Sequence, residues 1–126
     1  MVTNFRLSSS SRLKRKKLFD EVFATGKSIR TAHISVFYKE TVLPEGVNLQ
    51  AAFTASKRKF KKAVDRNKLK RLMREAYRTQ RNPLELELKA SKRQIAVVFV
   101  YTSTLIIPFS EVKTSINNLL QKLEKL

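Results

Sequence analysis

Residues Lys57 to Arg81, KRKFKKAVDRNKLKRLMREAYRTQR, constrain the fold more than any other stretch of this chain. The segment holds twelve Lys or Arg against two acids, Asp65 and Glu75. Wound as a helix from Val64 onward, it sets Leu69, Leu72, Met73 and Ala76 on one side. Asn67, Lys70, Arg71, Arg74, Arg78 and Arg81 fall on the opposite side. Only one face can enter a core, so the other must stay in solvent as a positively charged rod. A rod of this kind fits along a polyphosphate groove, which points to nucleic acid as the partner.

The charge of the whole chain supports that reading. Its formal net charge is +17 over 126 residues. Residues 1–81 carry 21 basic and 6 acidic side chains, whereas residues 82–126 carry 6 and 4. A merely solvated face can hold many lysines, but self-repulsion of this size destabilises a compact state unless a polyanion relieves it. Hydrophobic residues make up 42% of the chain. That is enough for one domain over 1–126 to bury a core rather than remain a basic tail. There is no cysteine, hence no disulfide framework or thiol nucleophile, which suits a reducing, cytoplasmic setting. No apolar run reaches the length of a membrane span, and MVTNFRLSSSSRLKRKK has none of the pattern of a secretory signal.

Along the chain, residues 1–11 read as a flexible lead. Ser11 is placed to cap a first helix over about 12–25, with Leu18, Phe19, Val22 and Phe23 as its apolar stripe and Gly26 as its stop. Residues 28–40 read as extended, in two short strands. Leu43-Pro44-Glu45-Gly46 is a turn, and 47–56 a further strand, so that 33–56 is expected to form an antiparallel hairpin. The basic loop Lys57–Lys62 leads into the long helix, about 63–80, which Asn82-Pro83 ends. Residues 84–91 suit either a loop or a short helix. QIAVVFVY, 94–101, is a buried strand, and a last helix over about 110–125 buries Val112, Ile116, Leu119, Leu120 and Leu123. The order α-β-β-(β)-α-β-α describes a compact α+β sandwich, with helices packed on a small mixed sheet.

Catalytic chemistry finds little support in these residues. His33 is the only histidine, and no nucleophile or carboxylate can be set beside it. Asp20, Glu21, Asp65 and Glu75 are dispersed among basic neighbours, unlike the clustered carboxylates of a two-metal nuclease. With glycine only at 26 and 46, there is no phosphate-cradling loop. Phe19 and Phe23 lie one helical turn apart, and Phe37 faces away from Val36 and Tyr38. The three are either core or a stacking platform for unpaired bases. Arg66 and Asn67, in the first turn of the basic helix, combine side-chain donors with free backbone N–H groups that attract phosphate. Such a helix cannot enter the deep major groove of A-form RNA, so its target is backbone shape in a structured RNA.

At these residues the chain resembles the bacterial ribonuclease P protein component. The match runs from Ser56-Lys57-Arg58 through Ala63-Val64-x-Arg66-Asn67-x-x-Lys70-Arg71-x-x-Arg74-Glu75-x-Tyr77-Arg78. RLKRKKLFDEVFATGKS is similar to the family's opening helix, with Phe19 and Phe23 in matching places. Two positions depart from the pattern: Lys68 stands where the Arg-Asn-Arg motif has its second arginine, and the Lys59–Lys62 stretch lacks a glycine common in that loop.

The resemblance implies an α–β sandwich with a left-handed βαβ crossover around the signature helix, a fold type shared with the second domain of a small-subunit ribosomal protein. It implies a ribonucleoprotein in which a large catalytic RNA, with Mg²⁺, removes the 5′ leader of precursor tRNA. By position, Arg66, Asn67, Lys68, Lys70, Arg71, Arg74 and Arg78 would contact the RNA subunit. Phe19, Phe23, Phe37, Lys57 and Arg58 would line the leader cleft. No catalytic residue, protein metal cage, membrane or obligate protein partner is expected. Two other readings remain: a basic RNA-binding scaffold such as a ribosomal or assembly protein, and a self-sufficient nuclease.

Overall fold

The most apolar run of the chain lies at the centre of the sheet in the computed structural model, which describes residues 12–126. The elements are α1 (Lys16–Thr25), β1 (Lys27–Arg30), β2 (Ile34–Glu40), β3 (Leu49–Ala55), α2 (Ala63–Gln80), α3 (Asn82–Ala90), β4 (Ile95–Tyr101) and α4 (Phe109–Glu124). They form an α+β fold on one four-stranded mixed sheet of order β1-β2-β4-β3. β4 is antiparallel to β2 and parallel to β3.

Successive side chains of a strand point to opposite faces, and both faces of β4 are covered. Ile95, Val97, Phe99 and Tyr101 enter a core shared with Leu69, Met73, Ala76 and Tyr77 of α2, Leu84 and Leu88 of α3, and the apolar stripe of α4. Ala96 and Val98 point the other way, into a smaller core with Leu18 and Val22 of α1. The molecule is therefore layered: α1 on one side of the sheet, α2, α3 and α4 on the other.

The expected hairpin over 33–56 does not form. β2 and β3 run in opposite directions, but β4 lies between them. A strand that buries both faces gains most from a central place, and β4 is more apolar than either neighbour. The link between β2 and β3 therefore arches over the start of β4 and is fastened there by Gln94. The Gln94 side chain accepts from Leu43 N (3.2 Å) and donates to Leu43 O (3.0 Å) and Val47 O (2.7 Å). The turn itself is as read: Val47 N donates to Pro44 O, and Gly46 takes φ +82°.

Two other elements differ from, or add to, the sequence reading. The first helix starts at Lys16 rather than 12, because Arg12 and Leu13 run parallel to the outer edge of β3. Leu13 N donates to Ala51 O at 3.0 Å. Satisfying an open strand edge outweighs one more helical turn crowded with Lys14 and Arg15. The proposed Ser11 cap, like the flexible lead over 1–11, lies outside the described residues. Residues 84–91 prove to be mostly helical, with Pro83 in the first turn of α3, where its missing N–H costs nothing. α3 ends in a Schellman turn: Arg93 N donates to Leu88 O (2.9 Å), and Lys92 takes φ 56°.

Gly26 stops α1 for a reason the sequence does not reveal. Its φ is −79°, open to any residue. A Cβ there would lie 2.3 Å from Val22 O and 2.6 Å from Tyr38 O, both backbone atoms. Only glycine lets the end of α1 sit so close to β2. Gly26→Ala is expected to destabilise the fold by about 2–3 kcal/mol in urea denaturation, with the overpacking penalty as its source. A loss below about 0.5 kcal/mol would contradict this packing.

Candidate nucleic-acid interface

Helix α2 buries Leu69, Met73, Ala76 and Tyr77, with Leu72 half-buried. The opposite face lines a groove of about 570 Å³ formed by Val64, Asn67, Lys68, Lys70, Arg71 and Arg74. None of these charged side chains has an ion-pair partner within 4.0 Å among the described residues. The positive end of the helix dipole, at Ala63 and Val64, adds to the same field, and Asp65 in the first turn offsets part of it.

Three arginines of the basic segment, two of them on the predicted rod, are engaged within the protein. Arg66 is half-buried, and its Nη1 donates to Phe60 O (2.7 Å) and Lys61 O (2.9 Å). It thereby fastens the basic loop to the first turn of α2. Arg78 forms a two-point pair with Glu75, with Nε to Oε2 at 3.1 Å and a second bond from Nη2 to Oε1. This hydrogen bonding holds the Glu75 carboxyl below its ordinary range. Arg81 is a correction: it is 9% exposed, with Nη1 3.3 Å from Glu85 Oε1. The chain turns from α2 into α3 at this residue, so helical periodicity no longer says where its side chain points.

The basic loop Lys57–Lys62 needs no glycine. Among the described residues only Lys92 and Gly46 have positive φ, so every residue of this loop stays in ordinary backbone space. Ser56 supplies the turn: its carbonyl accepts from Phe60 N (3.0 Å) and its Oγ from Arg58 N (3.1 Å). Phe60 is buried edge-on against Tyr101, 5.7 Å between ring centroids. The cations at 57, 58, 59, 61 and 62 are left facing solvent.

On the α1 side, the three predicted phenylalanines do come together. Phe23 lies 5.0 Å from Phe19 and 4.8 Å from Phe37, ring centroid to ring centroid. Phe19 and Phe37 are partly buried against the core that holds Val22 and Val98, while Phe23 is 37% exposed. The set is thus both core and surface: two rings are partly buried, and the third, packed on both, is partly exposed.

Lys57 and Arg58 are not part of this cluster. They follow the end of β3, with β4 between that strand and Phe37 of β2. Two other basic groups, Arg12 and Lys14, lie along the outer edge of β3. Together with Leu13, Ala51, Ala52, Phe53 and Arg74 they line a cleft of about 360 Å³ at the edge of β3. Arg74 belongs to both grooves and lies over the Phe53 ring at 5.8 Å. The alternation Arg12-Leu13-Lys14 was the available sign of a short strand; the expected helix obscured it. His33, the lone histidine, has a buried Nδ1 without a hydrogen-bond partner. Among the described residues, no three His, Cys, Asp or Glu side chains are grouped to hold a metal ion. No helix among them is long and apolar enough to cross a membrane.

The chain is similar to known proteins of one family. The Ribonuclease P family profile matches residues 7–124. A ribonuclease P protein component from Chlorobium phaeobacteroides is 35% identical over 98 residues, covering 70% of this chain and 67% of that protein. The solved structure of the Staphylococcus aureus RNase P protein superposes with a TM-score of 0.71 at 17% identity, covering 90% of this chain and 95% of that one. The RNase P protein from Thermotoga maritima gives 0.70 at 22% identity, covering 88% and 96%. The structures establish a shared fold, and the profile with the sequence relatives establishes descent: this chain belongs to the ribonuclease P protein family.

Proposed function

We propose that this chain is the subunit that holds the catalytic RNA of a ribonuclease P ribonucleoprotein along α2. The single-stranded 5′ leader of precursor tRNA then lies in the Phe19–Phe23–Phe37 cleft. The observation that carries the proposal is the row Asn67, Lys68, Lys70, Arg71 and Arg74, which keeps its charge while neighbouring arginines are paired internally. Arg71 and Arg74 can fork onto phosphate oxygens; Lys68 and Lys70 act as point charges. Arg66 works one step back by shaping the loop, and Arg78 reaches phosphate only by leaving Glu75. Lys57 and Arg58 extend the RNA-facing surface from the N-terminal end of α2.

Phosphodiester hydrolysis is assigned to the RNA with its Mg²⁺. The protein's own residues bind and orient. Exposed Phe23 stacks on an unpaired base over the Phe19–Phe37 floor, a contact that tolerates any base sequence. Arg12, Lys14 and Arg74 supply the phosphate contacts on the β3 side.

The deciding assay is precursor tRNA cleavage at moderate Mg²⁺, by protein alone, RNA alone and both together. Faster cleavage with both than with RNA alone is expected. Cleavage by protein alone would favour a self-sufficient nuclease, and an unchanged RNA-only rate would favour a scaffold.

Arg74→Ala is expected to weaken binding to the RNA subunit and reduce the log–log salt slope by about one. A slope equal to that of the native chain would remove this face from the interface. Phe23→Ala should cost roughly 1–3 kcal/mol in affinity for leader-bearing tRNA and leave mature tRNA unaffected. Equal losses on both would return the ring to a purely structural role.

A further inference from the structure

The loop between β4 and α4 carries an apolar tip that neither the core nor the α2 groove uses. Leu105 is 66% exposed, Ile106 47% and Phe109 39%. Scattered apolar side chains on a surface need no explanation, but these are held outward by a dedicated set of bonds. Thr102 N and Ser103 N both donate to His33 O, at 2.9 and 3.2 Å. Leu105 N donates to Ser103 Oγ at 3.1 Å. The buried Tyr101 hydroxyl donates to Leu105 O and accepts from Ile107 N at 3.1 Å. The backbone is thus fixed on both sides of the tip before any partner arrives, which lowers the ordering cost of a contact there.

The tip is joined to the basic loop. Lys59 Nζ donates to Thr102 O, and the Phe60 ring packs on Tyr101. Lys59 thus ties the exposed basic loop, which also carries Lys57 and Arg58, to the base of the tip, and the first turn of α4 holds one acid, Glu111. This rim selects a polyanion, and the net charge of +17 opposes a second copy of the chain. A polyanion with exposed apolar surface is a structured RNA, at an unpaired base or the open face of a helix end, where apolar side chains can wedge against a base. Tyr101 and Ile107 belong to the core between the sheet and α2, so the tip lies on the α2 side, away from α1.

We infer that Leu105 and Ile106 form a second contact with the catalytic RNA, seating against an unstacked base beside the phosphates held by the basic loop and α2. This rests on the proposed function and adds a non-ionic anchor to it.

The test is binding of the full chain to the RNA subunit across a salt series, for native protein, Leu105→Ser/Ile106→Ser and Arg71→Ala. Thermal denaturation of each variant serves as the folding control. The tip variant is expected to bind about tenfold more weakly with an unchanged salt slope, since it loses apolar contact and no ion pair. Arg71→Ala should lower the slope. The chain has no cysteine, so Thr104→Cys carrying an iron–EDTA probe should cut the RNA subunit at a discrete site. Tip-variant affinity within twofold of native, or cleavage confined to precursor tRNA, overturns the inference. If Arg71→Ala still weakens binding, the proposed function stands without it. If native chain fails to bind the RNA subunit at all, both fall.

Discussion

Burial of β4 on both faces is the constraint on which the rest depends. One face is Ile95, Val97, Phe99 and Tyr101; the other is Ala96 and Val98. Together they require helices above and below the sheet, and the chain supplies α1 for one side and α2, α3 and α4 for the other. Large residues face the three-helix layer, where Phe53, Tyr77 and Phe99 pack ring against ring at 5.5 Å. The smaller Ala96 and Val98 face the single helix, beside which Phe19, Phe23 and Phe37 cluster. The unequal layers thus separate two surfaces: a basic helix on the thick side and a cluster of three phenylalanines on the thin side.

Electrostatics on α2 are settled by local partners rather than by charge content. Glu75 takes Arg78, Glu85 takes Arg81, and the backbone of the basic loop takes Arg66. What remains is a short, dense row centred on Arg71 and Arg74. Arg74 matters most geometrically, because it lines the groove on α2 and the cleft at the edge of β3. A polyanion on one groove and a strand in the other would share its field. The third surface, the apolar tip at Leu105 and Ile106, is built from the end of the same central strand through the Tyr101 hydroxyl.

Much of this was legible in the residues. Helix α2 and its two faces follow from the spacing of Leu69, Met73 and Ala76 against that of the cations, and β4 from its unbroken apolar run. The Phe19–Phe23 spacing placed both rings on one side of a helix. Pairing was not legible: β2 and β3 looked like a hairpin because a turn joins them, yet a strand forty residues later takes the place between them. The start of α1 was hidden for the same reason, since Arg12 and Leu13 answer to the edge of β3 rather than to their own helical propensity. That Lys57 and Arg58 follow β3 while Phe37 lies on β2, with β4 between, needed the strand order.

The sequence by itself determined the α+β class, the single basic helix face, the family and the nucleic-acid partner, since each rests on local periodicity, composition or a linear motif. Only the tertiary structure decided which cations on α2 stay unpaired, why Gly26 must be glycine, and that Lys57 and Arg58 follow β3 while Phe37 lies on β2 with β4 between. Those outcomes depend on contacts between residues distant in sequence. Side-chain pairing and backbone approach are set by how the elements pack, and no pattern within one element contains that information.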